Sequence, residues 1–136
     1  MRNKNKYDLK TEEQALRYFI EKMDIEMVTA FINKTRTYQD MEVSLFLSKL
    51  DALFDRFKAC GDEYLLAYKG NCGVCYKDKK GYVFVGNNSF NYVNLIIDEQ
   101  KGLVKDIFEC SSFRTKAPIF LKRKLYLDND KIRIPF

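Results

Sequence analysis

The sequence contains no histidine, and that absence removes much of enzyme chemistry. Serine–histidine and cysteine–histidine triads, histidine general bases and histidine-ligated zinc are all closed to this chain. Long apolar runs are missing as well. Met1-Arg2-Asn3-Lys4-Asn5-Lys6 leads into none, so neither a signal peptide nor a transmembrane helix is expected, no membrane partner is expected, and the default location is the cytoplasm. Only two prolines occur, Pro118 and Pro135, and both are expected at strand ends or edges, because proline cannot donate to a ladder. There is no internal repeat and no low-complexity segment. Four cysteines in a chain of this kind read as free thiols rather than disulfides.

The 136 residues are the length of one domain, and 46% hydrophobic with 32% charged residues is an ordinary globular balance. Residues 1–113 hold 17 basic and 17 acidic side chains. The net charge of +5 therefore arises in the last 23 residues, where seven basic residues face two acids. The division is a core over 11–113 and a basic extension over 114–136. A basic extension can touch nucleic acid or an anionic surface. Here the charges alternate with strand-like apolar residues and no aromatic stacking platform lies beside them, so a solvated face is expected and a nucleic-acid partner is not.

The stretch Glu63 to Cys110 carries the period of strands. Four strands are predicted, over Glu63–Gly70, Tyr82–Gly86, Asn91–Asp98 and Leu103–Cys110, with turns at Gly70-Asn71, Asn87-Asn88-Ser89 and Glu99-Gln100-Lys101-Gly102. Short connections force antiparallel neighbours, and the resulting meander has one apolar face that needs a cover. Lys77-Asp78-Lys79-Lys80-Gly81 reads as a solvated turn.

Helices precede the meander. Thr11-Glu12-Glu13-Gln14 fits a capping box before a stripe of Leu16, Phe19, Ile20 and Met23. Asp24 can cap a second helix ending near Asn33, and Thr35 to Tyr38 forms a short strand. Asp40 is expected to cap the longest helix, with a stripe of Val43, Phe46, Leu47, Leu50, Leu53, Phe54 and Phe57 and a stop at Gly61. That stripe is the natural cover for the meander. Beyond Cys110, Ile119–Leu127 and Lys131–Ile134 alternate weakly across Asp128-Asn129-Asp130, which suggests a terminal hairpin. The fold class is therefore α+β, with an antiparallel sheet wrapped around N-terminal helices.

This element order, with the segment DIEMVTAFI (Asp24 to Ile32) before a short strand, a long helix and a meander, resembles the nuclear transport factor 2-like superfamily over residues 11–113. The superfamily is also called the cystatin-like or ketosteroid isomerase-like cone. The resemblance implies a strongly bent sheet, an apolar pocket open at one end of the cone, and frequent dimerisation through the outer sheet face, here around Tyr92 and Ile96. It also implies site residues. The isomerase type uses a tyrosine on the first helix and an acid on a late strand, and Tyr18 and Asp106 stand in matching elements. Its base belongs near the first strand, where Thr35-Arg36-Thr37-Tyr38 carries no acid. The dehydratase type uses a histidine–aspartate pair that this chain cannot build.

Candidate ligand-pocket residues are then Asp106, Tyr18, Tyr64 and Tyr68. Asp106 points at the pocket if the face it shares with Val104, Phe108 and Cys110 is the inner one, where desolvation would raise its pKa. If Leu103 and Ile107 face inward instead, it is solvated. The tyrosines either direct hydroxyls at a ligand or complete the core with one hydrogen bond each. Cys72 and Cys75 have the spacing of a metal knuckle or redox pair. A four-thiolate zinc site would also need Cys60 and Cys110, which the meander sets at the opposite end of the strands, and a redox pair would lack its usual βαβ setting. A tight turn is the plainer reading of the CxxC, and no cofactor is indicated. The expected function is binding of an apolar or amphipathic small molecule, with catalysis unassigned. The alternatives are a non-catalytic interaction module, homodimeric through the outer sheet face, and thiol or metal chemistry at Cys72 and Cys75.

Overall fold

The computed structural model describes residues 11–73, 79–110, 113–126 and 132–136. Helix α1 (Glu12–Glu21) begins at Thr11, whose hydroxyl accepts from the Gln14 amide at 3.1 Å, and α2 (Ile25–Phe31) begins at Asp24, whose carboxylate accepts from the Met27 amide at 3.1 Å. A two-residue hairpin follows, β1 (Thr37–Tyr38) and β2 (Met41–Glu42), and leads directly into α3 (Val43–Ala59). The expectation that Asp40 caps α3 is overturned. Gln39 and Asp40 have φ of 52° and 61° and form the turn of this hairpin, so α3 starts two residues later than expected, behind Glu42, which makes no side-chain cap. Glycine-like φ at two non-glycine residues leaves no signature that residue preference can detect. Asn33 does not stop α2 in the left-handed conformation; its side chain instead accepts from the Thr35 amide and hydroxyl. Gly61, at φ 90°, closes α3 as expected, with the Gly61 and Asp62 amides donating to the carbonyls of Lys58 and Phe57.

The four expected strands are present as β3 (Leu65–Cys72), β4 (Lys80–Gly86), β5 (Tyr92–Gln100) and β6 (Leu103–Glu109), antiparallel in sequence. A fifth, β7 (Phe113–Thr115), pairs with the end of β3, which gives the order β6-β5-β4-β3-β7. Gly70 was read as a stop, yet it lies inside β3. A Cβ there would sit 2.3 Å from the Arg114 carbonyl, so the missing side chain is what lets β7 approach. Lys101 and Gly102, both at positive φ, make the β5–β6 turn.

Both faces of the sheet are covered. On the inner face, Phe46, Leu50, Leu53, Phe54 and Phe57 of α3 and Leu16, Phe19 and Ile20 of α1 pack with Leu65, Phe84, Val93, Leu95 and Ile97. At roughly 1.5–3 kcal/mol per large apolar side chain, this is the main stabilising layer. On the outer face, Val83, Val85, Ile96, Cys72, Cys110 and Phe113 pack with Ala117, Leu121 and Leu125. The last two belong to α4 (Ile119–Tyr126), a helix where a terminal hairpin was expected. Ala117, Leu121 and Leu125 repeat every four residues, which is a helical spacing, and Pro118 stands just before the helix rather than at a strand end. Residues 127–131 lie outside the described set. Arg133 makes one parallel bridge to Tyr92, and Ile134 and Phe136 return to the inner core, Phe136 stacking on Phe46 at 5.3 Å. The outer face around Ile96, expected to join two copies, is therefore occupied by the chain's own α4. No described helix is long and apolar enough to cross a membrane.

Candidate functional site

The inner face changes character along its strands. Alternation puts Lys69 and Asn71 on the side of Leu65 and Ala67, and puts Lys80 on the side of Tyr82 and Phe84. Where α3 covers the sheet these positions are apolar; beyond it they are charged. The N-terminal half of α1 lies over this charged end and encloses a cleft of about 620 Å³. Thr11, Glu13, Gln14 and Arg17 of α1 form one wall, and Lys69, Asn71, Lys80, Tyr82 and Glu99 of β3, β4 and β5 form the floor. Lys116, just past β7, closes the side. Its amide donates to the Lys69 carbonyl at 2.7 Å, which fixes the two lysines on neighbouring chains.

One polar pair stiffens the cleft. The buried Tyr82 hydroxyl donates to the Glu13 carboxylate, tying α1 to β4. Burial pushes the Tyr82 hydroxyl well above its ordinary range, and the carboxylate beside it adds to the shift, so Tyr82 stays a neutral donor. Arg17 lies over the Tyr82 ring at 5.3 Å and pairs with Glu21 at 3.0 Å, while its Nε is buried with no hydrogen-bond partner. Burial raises Glu21 despite that guanidinium. Lys69, Lys80 and Lys116 make no ion pair or side-chain hydrogen bond among the described residues. Lys79, by contrast, is paired with Asp98 at 2.8 Å.

None of Asp106, Tyr18, Tyr64, Tyr68 or Cys72 lines this cleft. Asp106 was read on the face of Val104, but a bulge between Asp98 and Glu99 breaks the alternation. Val104 and Ile107 both pack inward, and Asp106 stands off that face, directly opposite Asp98. Its Oδ1 accepts the amides of Gln39 and Ile107, each at 2.8 Å, and the Gln39 side chain accepts the Glu109 amide in return. Asp106 thus anchors the β1–β2 turn to the edge of β6. Burial still raises its pKa, outweighing the two amides, and Asp40 and Asp98 push the same way.

Tyr18 and Tyr64 both lie near Lys22, whose Nζ is 5.6 and 5.7 Å from the two rings. Tyr68 packs on the outer cluster, away from both. Cys72 is buried there at 2% exposure, Cys110 lies in the same cluster, Cys60 is exposed, and Cys75 falls outside the described residues. Among the described residues no group of histidine, cysteine, aspartate and glutamate could hold a metal ion.

Arg17, Lys69, Lys80, Tyr82 and Lys116 were missed by sequence reasoning for a definite reason. Lys69 falls within the expected strand Glu63–Gly70 and Lys80 within the expected turn Lys77–Gly81, and only the pairing of β3 with β4 and β7 brings them together with Arg17 and Lys116. No protein-family model, curated protein or solved structure matches the chain.

Proposed function

We propose that this chain is a small-molecule-binding domain of the nuclear transport factor 2-like cone type, taking its ligand between α1 and strands β3 to β5. The order of two helices, a short hairpin, a long helix and four antiparallel strands supports the cone assignment. The observation that carries the binding role is the open end of the inner face, a cleft of about 620 Å³ into which charged and polar groups from five segments converge. That volume is in the range of small-molecule sites, roughly 300–1,000 Å³. The lining favours a polar or amphipathic ligand over an apolar one. No reaction is assigned, because Asp106 is engaged by backbone amides and the Tyr82–Glu13 pair holds α1 in position. A fragment screen by amide chemical-shift mapping tests the reading. Hits are expected to perturb Gln14, Lys69, Asn71 and Tyr82; hits clustering around Tyr18 or Asp106 would move the site elsewhere.

The second reading, an interaction module, draws support from α4. Ile119 and Phe120 are 77% and 64% exposed on the helix that covers the outer sheet face, so self-association there would run through α4 instead of through Ile96. Sedimentation at high concentration tests it, and a monomer removes it.

A further inference from the structure

We propose that the ligand of the cleft carries an oxyanion, a phosphate or a carboxylate, seated on Lys69, Lys80 and Lys116 with Arg17 beside them. This rests on the binding role given above and adds the ligand's chemical class. Four cations line the cleft against two carboxylates, Glu13 and Glu99. Among the described residues neither carboxylate forms an ion pair with a lysine of the cleft. Glu13 is engaged by the Tyr82 hydroxyl; Glu99 stands on β5 beside the strand of Lys80 without forming an ion pair with it among the described residues, and Lys116 lies beyond β7, three strand spacings from β5.

The lysines come from β4, β3 and the segment after β7, adjacent in the sheet, and none has an ion-pair partner among the described residues. A cleft lined by charges of one sign raises the local concentration of the opposite ion. Arg17 adds a fourth positive charge to the lining, its guanidinium held over the Tyr82 ring at 5.3 Å. An oxyanion supplies acceptors to the exposed lysine ammonium groups, through charge-assisted hydrogen bonds, while Arg17 adds its field.

The test uses the full chain and three sodium salts at equal ionic strength: inorganic phosphate, acetate and chloride, each titrated by amide chemical shifts. Saturable shifts at Lys69, Asn71 and Gln14 with phosphate or acetate, absent with chloride, are expected. Phosphate alone acting identifies a phosphate ligand; acetate acting equally identifies a carboxylate. The double variant Lys69→Gln/Lys116→Gln should weaken the effect by about tenfold or more, while Lys105→Gln on β6 leaves it unchanged. Lys69 and Lys116 are exposed and Lys105 is half-buried without an ion pair among the described residues, so melting curves of both variants are recorded to show that each is folded under the titration conditions. Equal responses to all three salts, or an unaltered titration in the double variant, overturns the proposal. If neutral fragments still map to the cleft in that case, the binding role survives and only the ligand class fails.

Discussion

The two ends of the inner sheet face are built from the same three strands and differ in what covers them. Toward α3, Leu65, Phe84, Val93 and Leu95 are sealed under a stripe of phenylalanines and leucines; toward the start of α1, Lys69, Lys80 and Glu99 remain open to solvent. The change takes place within two residues on β3, between Ala67 and Lys69, and within two on β4, between Tyr82 and Lys80. One end is spent on stability, and the other is left available for recognition.

The largest expected effect sharpens that contrast. Phe57→Ala, in the sealed end, should cost about 3–5 kcal/mol in denaturant unfolding, whereas Lys69→Ala should stay within about 0.5 kcal/mol. Comparable losses would mean that the charged end is structural. Next comes Gly70→Ala, which drives a methyl into the Arg114 carbonyl and the Phe113 ring. About 1–3 kcal/mol is expected, and hydrogen exchange should show Phe113–Thr115 losing protection while the β4–β5 ladder keeps it.

Asp106→Ala removes the acceptor of two amides and should cost about 1–3 kcal/mol. Asp106→Asn keeps an acceptor and should lose less. Because the folded pKa of Asp106 lies above its unfolded value, its favourable contribution belongs to the protonated form and is lost as pH rises through the folded value. The wild type should therefore gain on Asp106→Asn as pH is lowered from neutral. The reverse trend would show that the amides, not burial, govern this carboxyl.

Tyr82→Phe is the smallest change, about 1 kcal/mol for the lost bond to Glu13. The hydroxyl is raised in the fold, so its contribution is intact below the ordinary tyrosine pKa of about 10 and declines as pH climbs beyond it. Melting curves from pH 8 to 11 should converge toward the variant as the wild type loses this margin.

Much of the architecture was legible because period announces it. The stripes of α1 and α3 follow the helical repeat, and Val93, Leu95 and Ile97 follow the strand repeat onto the inner face. The expectation of one apolar face is overturned by the second cluster under α4; the run Tyr82-Val83-Phe84-Val85, with no polar member, is buried on both sides. It was α4 that escaped, since Ile119–Tyr126 alternates weakly as well as repeating every four residues. Asp106 was misplaced by one extra residue in a bulge, a feature that simple alternation cannot anticipate. The cleft was invisible for a different reason: Arg17, Lys69, Lys80 and Lys116 are scattered over 100 residues and meet only through strand order.

Asp62 carries a consequence for how the sheet keeps its alignment. Buried at the exit of α3, its carboxylate accepts the amides of Asn88 and Ser89 and the Ser89 hydroxyl, while the Asn87 side chain accepts the amides of Glu63 and Tyr64. The tip of the β4–β5 hairpin is thereby clasped from outside the ladder, by the segment that enters β3. Sliding β5 along β4 by a single residue would break this clasp in one step, so the spacing of the central strands is dictated by where the long helix ends.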